Sequence, residues 1–394
     1  MLSLLLLIIP ATHAILFSHP GVLVGAADLA SARARLSARG EPTFSFFARA
    51  LASPAGQLTY KPVGPPANGT ISCGYYDKPQ IGCLDEDNDI SAAYTQALLF
   101  AIGRNLSHAG AARATLSLYS AGLKRYTNNT EGTCCGNEAL QAAWQSAKMT
   151  RVAELLRHTD GSGWTSADTA AFNQLMYNVH LPLLYNGTPA NGNWMASFIE
   201  GMLGIAVFSE NATLFAHAAQ AWADRMPSYW YVTADGPQPP PNPQPNCDPQ
   251  PYCEWYNQTI FNSSVSGVCQ ETCRDMGHMQ MGLAAFVNGA ATAELQGVPL
   301  FSQHAPRLLA ASEFAATLQL AEAPPAVPPA LLCSGAPVSL KLMPTLEVAH
   351  SYFSRLGLQD AATQRQLVTN VRPSANPVGS QMSLWETLSH GLPI

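Results

Sequence analysis

Segments with the hydrophobic spacing of helices follow one another along nearly the whole chain, and short polar turns join them. This pattern constrains the fold more than any other feature. The spacing predicts helices over 29–36, 90–104, 111–126, 138–158, 166–181, 194–209, 214–226, 270–296, 304–320, 346–356 and 360–371. The connections are short and rich in Gly, Asn, Asp and Ser, as in Gly161, Gly163 and Gly187. Strand-like alternation is sparse. About eleven helices with tight connections give an all-α class built from stacked helical hairpins. No signature recurs every 33 to 40 or so residues, so a closed or curved array of helix pairs is expected over an open superhelix. We read residues 15–394 as one domain.

Composition narrows the functional classes. Hydrophobic residues make up 47% of the chain and charged residues 12%, which excludes disorder. A net charge of −6 with no basic block excludes a nucleic-acid partner, while one or two arginines in a cleft could still bind an anionic polymer. Residues 1–14 are apolar and end in Ala11, Thr12, His13 and Ala14, resembling a signal peptide cleaved after Ala14. The run is too short to span a bilayer, so no membrane association is expected after cleavage. Glycosylation sequons begin at Asn68, Asn105, Asn128, Asn186, Asn211, Asn257 and Asn262. Together with nine cysteines they point to a secreted, disulfide-linked glycoprotein, and a monomer is expected. Cys73 and Cys83 bracket a short loop and form a natural pair, and adjacent Cys134 and Cys135 should bond to separate partners. Pairings among Cys247, Cys253, Cys269, Cys273 and Cys333 stay open, and the odd total leaves a free thiol. No paired C-x-x-C spacing exists, so no metal site is assigned.

Four polar islands interrupt the apolar helices. The first is 270–278, where Glu271, Arg274, Asp275 and His278 would share an arc of roughly 100° on one helix face. Such a stripe lines either a salt-bridged seam or an active-site wall with a fixed cation and a titratable base. The second is 191–194, where Asn193 is placed to cap the next helix or to hold an anionic group at its positive end. Glu200, further along, has apolar neighbours and should meet a buried base. The third holds Glu347 and His350 at i and i+3, able to bond each other, with Tyr352 beyond. The fourth is the acidic run 85–89, read mainly as helix-dipole charge, followed by Tyr94. The Pro-rich run 235–253 should be an extended surface loop. Beyond it, Trp255 and Tyr256 offer faces that stack on sugars or pack the loop down. No nucleophile elbow, phosphate loop or zinc-protease helix is present.

Several of these residues, taken in order, resemble the secreted polysaccharide lyases of the alginate lyase type. The anchors are His19-Pro-Gly-Val-Leu, Cys83 with Asp85 and Glu86, and Ala92-Ala-Tyr94-Thr-Gln. They continue with Gln141-Ala-Ala-Trp144, Asn191-Gly-Asn-Trp-Met, Gln270 through His278, Pro344 with Glu347, and Trp385 through His390. The resemblance spans essentially the whole mature chain. It implies an (α/α) toroid, incomplete or complete, acting on a polyuronate such as alginate or glucuronan by β-elimination without a cofactor. It further implies Asn193 and Arg274 as carboxylate neutralisers, His278 as base or second neutraliser, and Tyr94 as acid, with Tyr256 and Tyr352 as further candidates. Glu271 and Asp275 become orienting groups. Trp194, Tyr256, Trp255, His350 and Tyr352 become substrate contacts. Two departures stand out: Leu346 replaces an aromatic of the family pattern, and His350-Ser351-Tyr352-Phe353 replaces Tyr-Asn-His-Tyr. Two other readings are a toroidal glycoside hydrolase using Asp275 with Glu271 or one of Asp85 to Asp89, and a non-catalytic glycan binder.

Overall fold

Fourteen helices and a three-stranded ribbon make up the described part of the computed structural model, which comprises residues 15–74, 80–127, 136–188, 192–243, 254–320, 331–336, 338, 346–374 and 385–394. The helices are α1 (Ala26–Ser37), α2 (Thr43–Ala52), α3 (Cys83–Gly103), α4 (Leu106–Gly122), α5 (Glu138–Arg157), α6 (Ser166–Leu175) and α7 (Leu181–Leu184). They continue as α8 (Asn193–Phe208), α9 (Ala212–Tyr229), α10 (Met276–Leu295), α11 (Leu300–Gln319), α12 (Glu347–Arg355), α13 (Ala361–Gln366) and α14 (Glu386–His390). A π-helical turn, Met176–His180, joins α6 to α7. Strands β1 (Thr70–Cys73), β2 (Gln80–Ile81) and β3 (Arg125–Thr127) lie in the order β2-β1-β3, with β1 antiparallel to β2 and parallel to β3.

The helices form two layers. In the inner layer α3, α5, α8, α10 and α12 pack side by side, while α4, α9 and α11 cover α3, α8 and α10. Burial follows this division, for α8 is buried along almost its whole length whereas α4 and α9 bury only one face. That explains why α8 reads as a continuous apolar run, Met195 to Phe208, with no polar stripe. Helices α3, α5 and α8 run parallel. Gln145 and Lys148 of α5 meet Asp87 and Ser91 of α3, and Trp144, Arg151 and Arg157 meet Ser197, Glu200 and Phe208 of α8 in the same order. Asn288 of α10 in turn donates to Glu200. The amino-terminal ends of α3, α5 and α8 therefore share one rim, with the leader of α10 beside them, and their carboxy-terminal ends share the other. Helix α14 packs on both α12 and α1, and α1 packs on α3, closing the array into an all-α toroid, with Asp28 of α1 paired to Arg355 of α12 at that seam.

Several expectations need correction. The helix expected from Gln270 begins only at Met276, and 270–274 fold into turns. Asp275 caps α10, its carboxylate accepting from the His278 amide at 2.9 Å. The stripe on one helix face therefore does not exist as such. Helices α2 and α14 lie outside the expected set. The acidic run serves less as dipole charge than as anchorage: Asp89 accepts from Tyr60, Tyr119, Val63 and Gly64, and Glu86 from Tyr126 and Gln141. Glu347 and His350 do not bond each other. Glu347 pairs with Arg372 at 2.6 Å, and His350 Nδ1 lies 2.7 Å from Asp360. Cys73 bonds Cys83 as expected, Cys273 bonds Cys333, and Cys269 is a buried free thiol. Residues 1–14, Asn128, Cys134, Cys135, Asn191, Cys247, Cys253, Pro344 and most of the Pro-rich run lie outside the described residues. Among the described residues no helix is long and apolar enough to cross a membrane.

Candidate functional site

A single carboxylate organises the rim where α8 and α10 begin. Glu271 is buried and receives four donors. The Asn193 backbone amide and side-chain amide reach it at 2.8 and 2.7 Å, the Tyr229 hydroxyl at 2.7 Å and Arg274 Nη1 at 3.0 Å. Asn193 is thus not the cap of its own helix. It is the first helical residue, and Glu271 caps α8 from outside. The preceding Gly192 has φ +87°, and a Cβ there would press on the Glu271 carboxylate at 2.9 Å, so glycine is required on both counts. Glycine is required again at Gly282, where a side chain would collide with the Tyr229 hydroxyl.

The groups that reach solvent are arranged around this hub. Arg274 keeps 24% of its side chain exposed, and its guanidinium lies 5.8 Å from the ring centroid of exposed Tyr256. His278 and Asp275 are 25% and 30% exposed and lie 2.6 Å apart between Nδ1 and Oδ2. Burial alone would raise the Asp275 carboxyl. The His278 amide and ring, with the Arg274 charge, outweigh that and hold it below the usual carboxylate range. A carboxylate only accepts, so a neutral His278 carries its proton on Nδ1 and turns the Nε2 lone pair away from Asp275. Trp194, half-buried, opens α8 beside Asn193 and tilts against Phe198. The Cys273–Cys333 disulfide pins the turn that carries Arg274.

Sequence reasoning missed two supports. Tyr229 comes from the end of α9 and carries no motif. A polar chain also ties the start of the Pro-rich run to the hub. Arg225 donates to Asn242 at 3.0 Å, Asn242 to Glu254 at 2.8 Å, and Gln270, next to Glu271, to Glu254 at 3.1 Å. The pairing of a lone acid, Glu254, with the Asn and Gln around it was the only available signal.

Four expected site residues lie elsewhere. Tyr94 is buried with its ring 5.7 Å from Arg151, in a cluster where Arg151 pairs with Glu200 and with Glu386 at 3.4 Å. Burial, then the Glu386 charge, raise its hydroxyl above the usual tyrosine value. Trp255 is fully buried, edge-on to Phe261, and offers no face to a sugar. His350 is buried against Asp360, and Tyr352 donates to the Ala291 carbonyl while stacking on Phe301. In each case tertiary packing withdraws a side chain whose type suggested contact with substrate.

This all-α toroid is the fold of alginate-lyase-type proteins. The chain is similar to alginate lyase A1-III from Sphingomonas species A1, with TM-score 0.61 at 12% identity over 96% of this chain and 98% of the other. A tetrasaccharide complex of an A1-III variant gives TM-score 0.65 at 13% identity, covering 98% and 99%. An alginate lyase from Bacteroides ovatus gives 0.57 at 12% identity, covering 94% and 99%. No protein-family model and no curated protein matches the chain in sequence.

Proposed function

We propose that this protein is a secreted polysaccharide lyase that cleaves a polyuronate of the alginate or glucuronan class by β-elimination. The observation that carries the reading is the Glu271 hub. It fixes a cation, Arg274, on the turn that leads into α10, whose first helical turn carries a carboxylate-oriented imidazole, His278. Arg274 pairs with the uronate carboxylate and stabilises the charge that builds up as C5 loses its proton. His278 Nε2 takes that proton, the C4–O4 bond breaks, and a C4–C5 double bond forms. Tyr256, exposed beside Arg274, replaces Tyr94 as the donor that protonates the departing oxygen. Asn193 acts through Glu271 as a positioning group, and Trp194 offers a sugar-facing ring. Saturation of Glu271 by four donors speaks against a two-carboxylate hydrolase, in which that group would have to attack or ionise freely. The fold neighbours are alginate lyases, one of them bound to a tetrasaccharide, which supports a polysaccharide substrate. Two disulfides and the apolar leader support secretion.

The test is a panel of uronans followed by ultraviolet absorbance of the unsaturated product. Turnover is expected on at least one. Arg274→Ala should lower kcat about 10²- to 10³-fold, and Tyr256→Phe should be more damaging than Tyr94→Phe. Folded protein that is silent on every uronan, or that releases reducing ends without the absorbance, would overturn the reading.

A further inference from the structure

On the opposite rim, a second cluster of ligating groups lies outside the catalytic proposal. We propose that His19, Glu154 and His158 form a binding site for one divalent transition-metal ion of the zinc class. Glu154 and His158 stand at i and i+4 where α5 ends, His158 being its C-cap. His19 comes from the segment before α1, and its ring stacks on His158 with centroids 4.2 Å apart and planes 7° from parallel. Glu154 has no exposed side-chain surface. Its Oε2 is engaged by His19 Nδ1 at 2.8 Å and by the Gly21 amide at 2.9 Å. Its Oε1 has no hydrogen-bond partner, nor does His158 Nε2, although both are buried.

Those two orphaned atoms are 3.6 Å apart. That is too far for a hydrogen bond. It matches two ligands of one tetrahedral ion, since bonds of about 2.1 Å at the tetrahedral angle separate donor atoms by about 3.4 Å. One ligating atom from each residue lies within 4.8 Å of the others. Two imidazoles and a carboxylate suit zinc better than calcium or magnesium, which prefer all-oxygen shells. The carboxy-terminal end of a helix also favours a cation. Arg157, the nearby positive charge, is turned to the Phe208 carbonyl and to Glu210. Glu210 itself lies 3.7 Å from His19 Nε2 and could add a carboxylate. An ion here would fasten the amino-terminal segment, which Gln296 already grips through Ser18 and Gly21, to the end of α5.

The experiment is a zinc titration of chelator-stripped protein in competition with a chromophoric chelator. One equivalent per chain is expected, with a raised melting temperature on loading. Affinity should fall at least tenfold in His158→Gln and in His19→Gln. The second variant alters a partly exposed side chain, so it keeps the test open should the first fail to fold. Uronan cleavage by zinc-free His19→Gln should match that of the parent. Failure of the stripped parent to take up zinc, or uptake unchanged in both histidine variants, would overturn the site and leave a metal-free ion-pair cluster. Neither result bears on the Arg274 rim.

Discussion

Glu271 is the residue on which the proposed site depends most, because it holds three chain segments at once. Glu271→Gln would turn one acceptor oxygen into a donor facing Arg274, Asn193 or Tyr229. The expected cost is about 1–3 kcal/mol of stability, the penalty of leaving buried donors unmatched. Urea denaturation measures it, and activity should fall further than stability alone accounts for because Arg274 loses its anchor. Asp275→Asn tests the neighbouring pair. It keeps the α10 cap but weakens the hold on the His278 tautomer, so kcat should drop about 10²-fold or more while the melting temperature moves little. A stability loss with unchanged kcat would make the pair structural. These roles were only half legible in the chain. Arg274, Asp275 and His278 stand together in sequence, and their chemistry could be read directly. The hub could not be, because Asn193 and Tyr229 reach Glu271 across 78 and 42 residues. Tyr94, Trp255, His350 and Tyr352 misled because residue type carries no record of burial.

Helices were the most legible elements, since Ala and Leu at helical spacing bury a face whichever partner supplies the core. Their ends were less so. Nothing in Gln270-Glu271-Thr272-Cys273 forbids helix, yet Asp275 takes the cap and the disulfide at Cys273 holds the preceding turn. Short α14, five residues without a repeating pattern, exists only because α1, α2 and α12 surround it. The close approach of α5 and α8 rests on glycines, Gly201 packing over Ser146 and Gly204 over Thr150. A Cβ at Gly204 would collide with the Thr150 hydroxyl. Gly204→Ala should therefore destabilise by about 1–3 kcal/mol despite the better helix propensity of alanine. Thermal melts of Gly204→Ala and of the exposed control Gly110→Ala separate the two effects, since Gly110 has open space around it. Equal or raised melting temperatures in both would show that the α5–α8 contact is loose.

The toroid separates its tasks by rim. Amino-terminal helix ends, the Arg274 turn and the exposed aromatic share one side, and the clasp of the amino-terminal segment lies on the other. Buried ionisable groups make the stability of the fold depend on pH. His180, buried in the turn between α6 and α7, has its ring pushed down to about 4 by burial, against the Ala142 carbonyl that accepts from it. The unfolded chain binds that proton near pH 6.5. Between about pH 6.5 and 4 the unfolded state therefore holds more protons than the folded one. The His180 contribution, about 3 kcal/mol by linkage, is complete above that window and is lost as pH falls through it. Asp28 acts in the same direction at lower pH. Burial would raise its carboxyl, but His390, Arg355 and the Gly25 amide hold it below the usual range, so its support for ring closure is present at neutrality and lost on acidification. Glu86, whose carboxyl burial pushes up to about 8, acts in the opposite direction over this range. The test is therefore a difference from the parent: on acidification from about pH 6.5 to 4, His180→Gln should lose less melting temperature than the parent does. Asp28→Asn should start lower and lose less than the parent at lower pH. Slopes identical in all three proteins would remove His180 and Asp28 as sources of the pH dependence.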